Sequence, residues 1–235
     1  MKDKILLIDK LLKKKFGTPQ RSKPPNPVDL LIATILSQNT NDKNSYKAFQ
    51  NLKQKYSGWK DVAELRTSQI EKLIKIAGLG KQKSKAIKNL LVSLIKERGK
   101  VSLDHLIKMK DEEILNELIK FPGIGVKTAS CVLLFSVRRN VCPVDTHVHR
   151  TLNRIGIVKT SSPDKTFYFI NKSLPDTVAH SFHTNLIRLG REICKPANPN
   201  CKVCPVLSIC KFENKNLDGN KKEYVENSFM LLDNV

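Results

Sequence analysis

Aromatic residues are scarce: nine Phe, four Tyr and one Trp make up 6% of the 235 residues. That scarcity argues against binding through stacked aromatic platforms, the means by which many single-strand binders hold bases. Long apolar runs are missing as well. No stretch approaches the ~18 residues that a membrane-spanning helix needs, so no membrane partner is expected. The first residues, MKDKILLIDKLLKKKF, place acidic residues among lysines in helical spacing, unlike a secretory leader, which makes an intracellular protein the expectation. Period-two alternation is almost absent, which leaves an all-α fold. Acidic charge is in short supply, with 22 Asp and Glu against 42 Lys and Arg, for a net charge of +20. An excess of that size in a chain of this length points to a polyanionic partner.

What the sequence does contain is a series of amphipathic helical patterns separated by turn residues. Ile5, Leu6, Ile8, Leu11 and Leu12 form one apolar face, closed by the proline-containing segment TPQRSKPPNP at 18–27. Val28 to Ser37 reads as a buried helix. Asn39 to Asp42 then supplies turn and cap residues ahead of a polar helix that ends near Tyr56. Ser68 and Glu71 have capping-box spacing before Ile70, Leu73, Ile74 and Ile76. Gly78 and Gly80 break the chain before a basic helix, Lys83 to Lys96, whose Ala86, Ile87, Leu90, Leu91 and Leu94 point inward. Further helices are expected over 111–118, 127–137, 146–155, 163–172 and 177–189. Residues 214–235 carry polar turn residues and then an apolar patch, the pattern of a separate C-terminal tail.

Two motifs carry chemistry. In LIKFPGIGVKTAS, residues 118–130, Pro122, Gly123 and Gly125 cannot sit comfortably inside either flanking helix, so the stretch is a helix-breaking hairpin. It is either a plain connection or an anion site, since glycines leave room for a ligand and the next helix aims free N–H groups at the turn. The second motif is CKPANPNCKVCPVLSIC. Its cysteines, Cys194, Cys201, Cys204 and Cys210, have six, two and five residues between them. Four clustered thiols in an intracellular chain form a metal site, either tetrahedral zinc or an iron–sulfur cluster. Cys131 and Cys142 lie elsewhere and read as small buried hydrophobes.

Taken together and in this order, FPGIGVKTA, VDTHVHR (144–150) and the cysteine ladder resemble the endonuclease III family of helix-hairpin-helix DNA glycosylases, over roughly residues 25–210. The resemblance implies a 4Fe-4S cluster on the four cysteines, selecting iron over zinc. It implies two helical domains, one of residues 25–138 containing the hairpin and one assembled from 1–24 plus 139–213, with DNA across the cleft between them. The implied partner is double-stranded DNA containing damaged bases or abasic sites, bound by a monomer that is cytoplasmic and nucleoid-associated.

Site roles follow from the same resemblance. Lys127 occupies the position of the family's catalytic lysine and Asp145 that of its catalytic aspartate. The backbone of Gly123, Gly125 and Val126 is expected to grip phosphate. A flipped base leaves a hole that protein side chains fill. Asn39 stands where the family usually has glutamine, with Gln38 one position earlier, and Leu79 is the candidate from the later glycine loop. His147 and His149 have no further ligand at metal spacing and are expected to pack or to touch phosphate. The implied activity is a bifunctional glycosylase and AP lyase that excises damaged pyrimidines, oxidised ones foremost, and cleaves 3′ to the abasic site. Two other readings share the motifs. A monofunctional uracil or thymine mismatch glycosylase generally carries a different residue at the position of Lys127. A non-catalytic DNA-binding iron–sulfur protein has no need for both Lys127 and Asp145.

Overall fold

A computed structural model describes residues 1–218. Among the described residues every regular element is helical, and residues 219–235, most of the expected tail, lie outside them. The α-helices are α1 (Lys2–Phe16), α2 (Pro27–Ser37), α3 (Asp42–Lys55), α4 (Trp59–Glu64), α5 (Thr67–Ile74), α6 (Gly80–Arg98), α7 (Asp111–Ile119), α8 (Val126–Cys131), α9 (Thr146–Ile155), α10 (Pro163–Asn171) and α11 (Ala179–Arg188). No helix among them is long and apolar enough to cross a membrane.

The chain divides into two compact units, one of residues 22–139 and one of residues 1–21 together with 140–218. In the first, α2 is the central element. Asn26 caps it by accepting from the Val28 N–H at 2.9 Å, and Pro27 occupies the first helical position, where its missing N–H costs nothing. Every residue from Leu30 to Leu36 is buried, so α2 is apolar all round and is covered by α3, α6 and α8. Helix α6 presents Ala86, Ile87, Leu90, Leu91 and Leu94 to this core, as its periodicity requires. In the second unit α11 has the same role. Ala179 through Ile187 are all buried, and α1 and α9 pack on it. Buried Asp9 of α1 is satisfied by Ser181 of α11, whose hydroxyl donates to it at 2.7 Å, and by Lys13 at 2.6 Å.

Several local expectations change, among them the start of α6, which begins at Gly80 and not at Lys83. On α1 only Ile5, Ile8 and Leu12 are fully buried among the apolar residues, while Leu6 is 45% exposed, because one neighbouring helix covers only a narrow stripe. Helix α5 starts at Thr67 with Arg66 as its cap. Gln69, not Glu71, closes the box by accepting the Arg66 N–H at 2.8 Å. The expected helix over 127–137 is α8 followed by a π-helical turn, Val132–Ser136, in which the Val137 N–H reaches back five residues to the Val132 carbonyl at 3.0 Å.

Candidate active site and cysteine loop

The turn between α7 and α8 alternates in direction. Phe121 and Ile124 are buried in the core, whereas Pro122, Gly123 and Gly125 are exposed. The two glycines have different reasons to be glycine. Gly123 has φ +90°, outside the range of L side chains, and a Cβ there would lie 2.9 Å from the Ala86 Cβ. Gly125 has φ −99° and ψ −179°, ordinary extended backbone, and a Cβ there would meet nothing within 4 Å. Positive φ therefore explains Gly123 alone. Gly125 keeps the approach to the N-terminus of α8 open. Lys127 follows as the second residue of that helix and is half-buried, and its carbonyl accepts from the Ser130 hydroxyl at 2.9 Å. In this first turn the N–H groups of Val126, Lys127 and Thr128 precede the first intrahelical bond, Ala129 N–H to Gly125 carbonyl at 3.0 Å.

All three expected gap-side positions sit in the same unit. Gln38 donates from Nε2 to the Gly123 carbonyl at 3.1 Å, tying the end of α2 to the hairpin. Asn39 next to it is exposed with φ +50°. Leu79 takes the left-handed conformation, φ +48°, at the start of α6 and is 49% exposed, so it is not packed against the helix end. A residue absent from the expected set is Lys83, buried one turn into α6 and bound to the carbonyls of both Leu36 and Ala77 at 2.8 Å. Its spacing gives it away: positions 83, 87, 90 and 94 fall on one helical stripe, the other three being apolar and buried.

In the other unit Asp145 is the N-cap of α9, its Oδ1 accepting the Val148 N–H at 2.8 Å, which fixes the carboxylate in place. His147 is packed against Gly190, where a Cβ would lie 2.8 Å from its own, and burial pushes its imidazole pKa down. The Asp145 charge pulls the other way, more weakly. His149 shares a hydrogen bond with the Thr166 hydroxyl at 2.7 Å, a helix-packing role between α9 and α10.

The four cysteines Cys194, Cys201, Cys204 and Cys210 line one cavity, together with Ile193, Pro199, Leu207, Phe212 and Arg154. Among the described residues no group of three or more His, Cys, Asp or Glu side chains is arranged to hold a metal ion. Burial pushes the Cys204 thiol up to about 12, and the charges of Cys194, Cys210 and Cys201 add to that shift. A cation bound in this cavity would favour the Cys204 thiolate instead. Arg154 stacks over Phe212 at 4.2 Å and donates to the Cys194 sulfur at 3.5 Å and to the Lys195 carbonyl at 2.8 Å. Lys195, Lys202 and Lys211 are exposed around the loop.

Residues 32–176 match the family described as HhH-GPD superfamily base excision DNA repair protein. The endonuclease III of Thermotoga maritima is 34% identical over 208 residues, spanning 88% of this chain and 93% of that relative. That of Sulfolobus acidocaldarius is 32% identical over 200 residues, 81% of this chain and 84% of the relative. Among solved structures, a trapped covalent endonuclease III–DNA intermediate superposes with a TM-score of 0.75 at 27% identity, covering 90% of this chain and 96% of that one. A thermostable thymine-DNA glycosylase superposes with a TM-score of 0.72 at 20% identity, a likeness of fold. With the hairpin, the capped aspartate and the four-cysteine loop in place, the chain belongs to the HhH-GPD superfamily of base excision DNA repair proteins, on its endonuclease III branch, and is a DNA glycosylase and AP lyase.

Proposed function

We propose that the protein removes oxidised pyrimidines from duplex DNA with Lys127 as the nucleophile, and then cleaves the strand 3′ to the abasic site. The observation that carries this reading is the placement of Lys127 in the first turn of α8, immediately behind the exposed Gly123 and Gly125. The unpaired N–H groups of that turn suit a DNA phosphate, and a phosphate held there brings the next sugar toward the lysine.

The chemistry then divides between two side chains. As the damaged base leaves, positive charge builds on the deoxyribose, and the Asp145 carboxylate stabilises it. The neutral amine of Lys127 forms a bond to C1′ as the bond from C1′ to the base breaks, and the base departs with a proton. Ring opening gives an imine between Lys127 and C1′. Loss of a proton from C2′ expels the 3′ phosphate by β-elimination, and water releases the enzyme from the unsaturated aldehyde. The solved relative was captured as a covalent DNA intermediate, in keeping with this path. Gln38, Asn39 and Leu79, all at least partly exposed, are assigned to the space that the flipped nucleotide vacates.

Cys194, Cys201, Cys204 and Cys210 would hold a 4Fe-4S cluster, whose contribution when bound is to fix residues 194–210 as one loop. The exposed Lys195, Lys202 and Lys211 would then meet phosphate. The test is a duplex carrying one oxidised pyrimidine, incubated with the protein with and without borohydride. Base release, a 3′ unsaturated aldehyde end and a borohydride-stable adduct are expected together. Base release with neither strand cleavage nor adduct would make the protein monofunctional and overturn the role of Lys127.

A further inference from the structure

Lys83 is 2% exposed and ranks among the largest fully buried side chains of the protein. Its Nζ donates to two carbonyls from different segments, Leu36 near the end of α2 and Ala77 at the end of the turn Lys75–Ala77, both at 2.8 Å. An apolar side chain would fill this place in the core without the penalty of removing an ammonium group from water. The lysine is therefore explained by what its nitrogen holds. Both acceptors sit at helix ends, where carbonyls have no partner inside the helix. A single nitrogen bonded to both keeps the two chain segments within two hydrogen bonds of each other.

Each of those segments leads at once into a residue in the left-handed conformation. Leu36 is followed by Ser37, Gln38 and then Asn39 at φ +50°, and Ala77 by Gly78 and then Leu79 at φ +48°. Gln38 carries the connection on to the hairpin through the Gly123 carbonyl. The hairpin, the end of α2 and the start of α6 are thus joined in a chain of side-chain to backbone hydrogen bonds with Lys83 at its centre.

We propose that Lys83 is a positioning residue that sets the spacing of the loops at 37–40 and 77–80, so that both can enter the duplex beside the flipped nucleotide. This rests on the assignment of Gln38, Asn39 and Leu79 to the vacated space. Only a duplex has such a space. A single-stranded abasic site needs the nucleophile but no filled gap, which separates the two.

The experiment compares cleavage of the same abasic site in duplex and in single-stranded DNA for the full-length protein, Lys83→Met, Lys83→Gln and Lys83→Arg. Lys83→Met is expected to lower the duplex-to-single-strand ratio by roughly ten- to a hundred-fold, the scale of a small misplacement of positioning groups, while the single-strand rate is retained. Lys83→Gln can reach one carbonyl but not both. It gives a second reading, also lowered, if the methionine variant does not fold. Lys83→Arg keeps the charge and several donors and recovers most of the ratio. An unchanged ratio in Lys83→Met or Lys83→Gln, an equal loss on both substrates, or failure of both variants to fold overturns the proposal. A wild-type protein with no preference for the duplex would instead overturn the gap-filling assignment on which it rests.

Discussion

Gly123 and Gly125 are two residues apart, yet substitution by alanine should affect different properties at each. At Gly123, alanine must adopt φ +90° and place its Cβ 2.9 Å from the Cβ of Ala86. Holding an L residue in left-handed backbone costs about 1–2 kcal/mol. Because Ala86 is buried on α6, the hairpin must lift to relieve the contact, and overpacking of this kind costs a further ~1–3 kcal/mol. A total of roughly 3 kcal/mol corresponds to a fall of roughly 6–12 °C in Tm for a protein of this size. At Gly125 the backbone is extended and the space is open, so alanine leaves stability unchanged or raises it by about 0.5 kcal/mol through the unfolded chain. The methyl group stands where a phosphate would approach, however. Losing one hydrogen bond to a charged group, about 1.5 kcal/mol, weakens DNA binding roughly ten-fold. Thermal melting by circular dichroism and fluorescence anisotropy on a duplex with an uncleavable abasic analogue, both at fixed salt, read the two effects. Equal melting of the two variants would refute the assignment of positive φ and close packing to Gly123 alone. Wild-type affinity in Gly125→Ala would refute the open anion site.

Asp145→Asn keeps an equally good helix cap, so its melting temperature stays at the wild-type value while base release slows by ~10²–10³. Asp145→Ala also loses the cap and is less stable by about 1 kcal/mol, which paired melting curves measure. Burial lowers the pKa of Lys83 from 10.5 to about 8. Between those values the unfolded chain holds a proton that the folded chain has released, so stability rises with pH across the window, by roughly 3 kcal/mol at most. Urea unfolding from pH 7.5 to 10 should show wild type gaining on Lys83→Met, and a constant difference would contradict the burial of that amine. Protein purified without oxygen should be yellow-brown with about four irons per chain, and Cys204→Ala should damage folding and DNA binding before chemistry. Stoichiometric zinc without iron would count against the cluster.

Much of this architecture is legible in the sequence because apolar spacing and turn residues agree. The proline-containing segment 18–27 separates α1 from the buried helix read from Val28, and the stripe of Ala86, Ile87, Leu90, Leu91 and Leu94 orients α6. Lys127, Asp145 and the cysteines stand out because their spacing in a known pattern is far more specific than any one residue type. Other features depend on tertiary neighbours. Leu6 obeys the periodicity of α1 but is left exposed by the described helices around it. The π turn after α8 differs from an α-helix by one residue per turn, too little for an apolar run such as VLLF to reveal. Gly123 and Gly125 look alike in the sequence, and only the approach of Ala86 separates them. Lys83 reads as one more lysine of a basic helix until its place on the apolar stripe is weighed against its charge.

The central claim is that one lysine among many performs the covalent step. Borohydride reduction during reaction with an abasic duplex, followed by nuclease and protease digestion and mass spectrometry of the modified peptide, identifies that residue directly. The predicted result is a single sugar-modified peptide carrying the remnant on Lys127, with no adduct formed by Lys127→Gln although that variant still binds abasic DNA. An adduct on a different lysine, or trapping by Lys127→Gln at the wild-type level, would contradict the account.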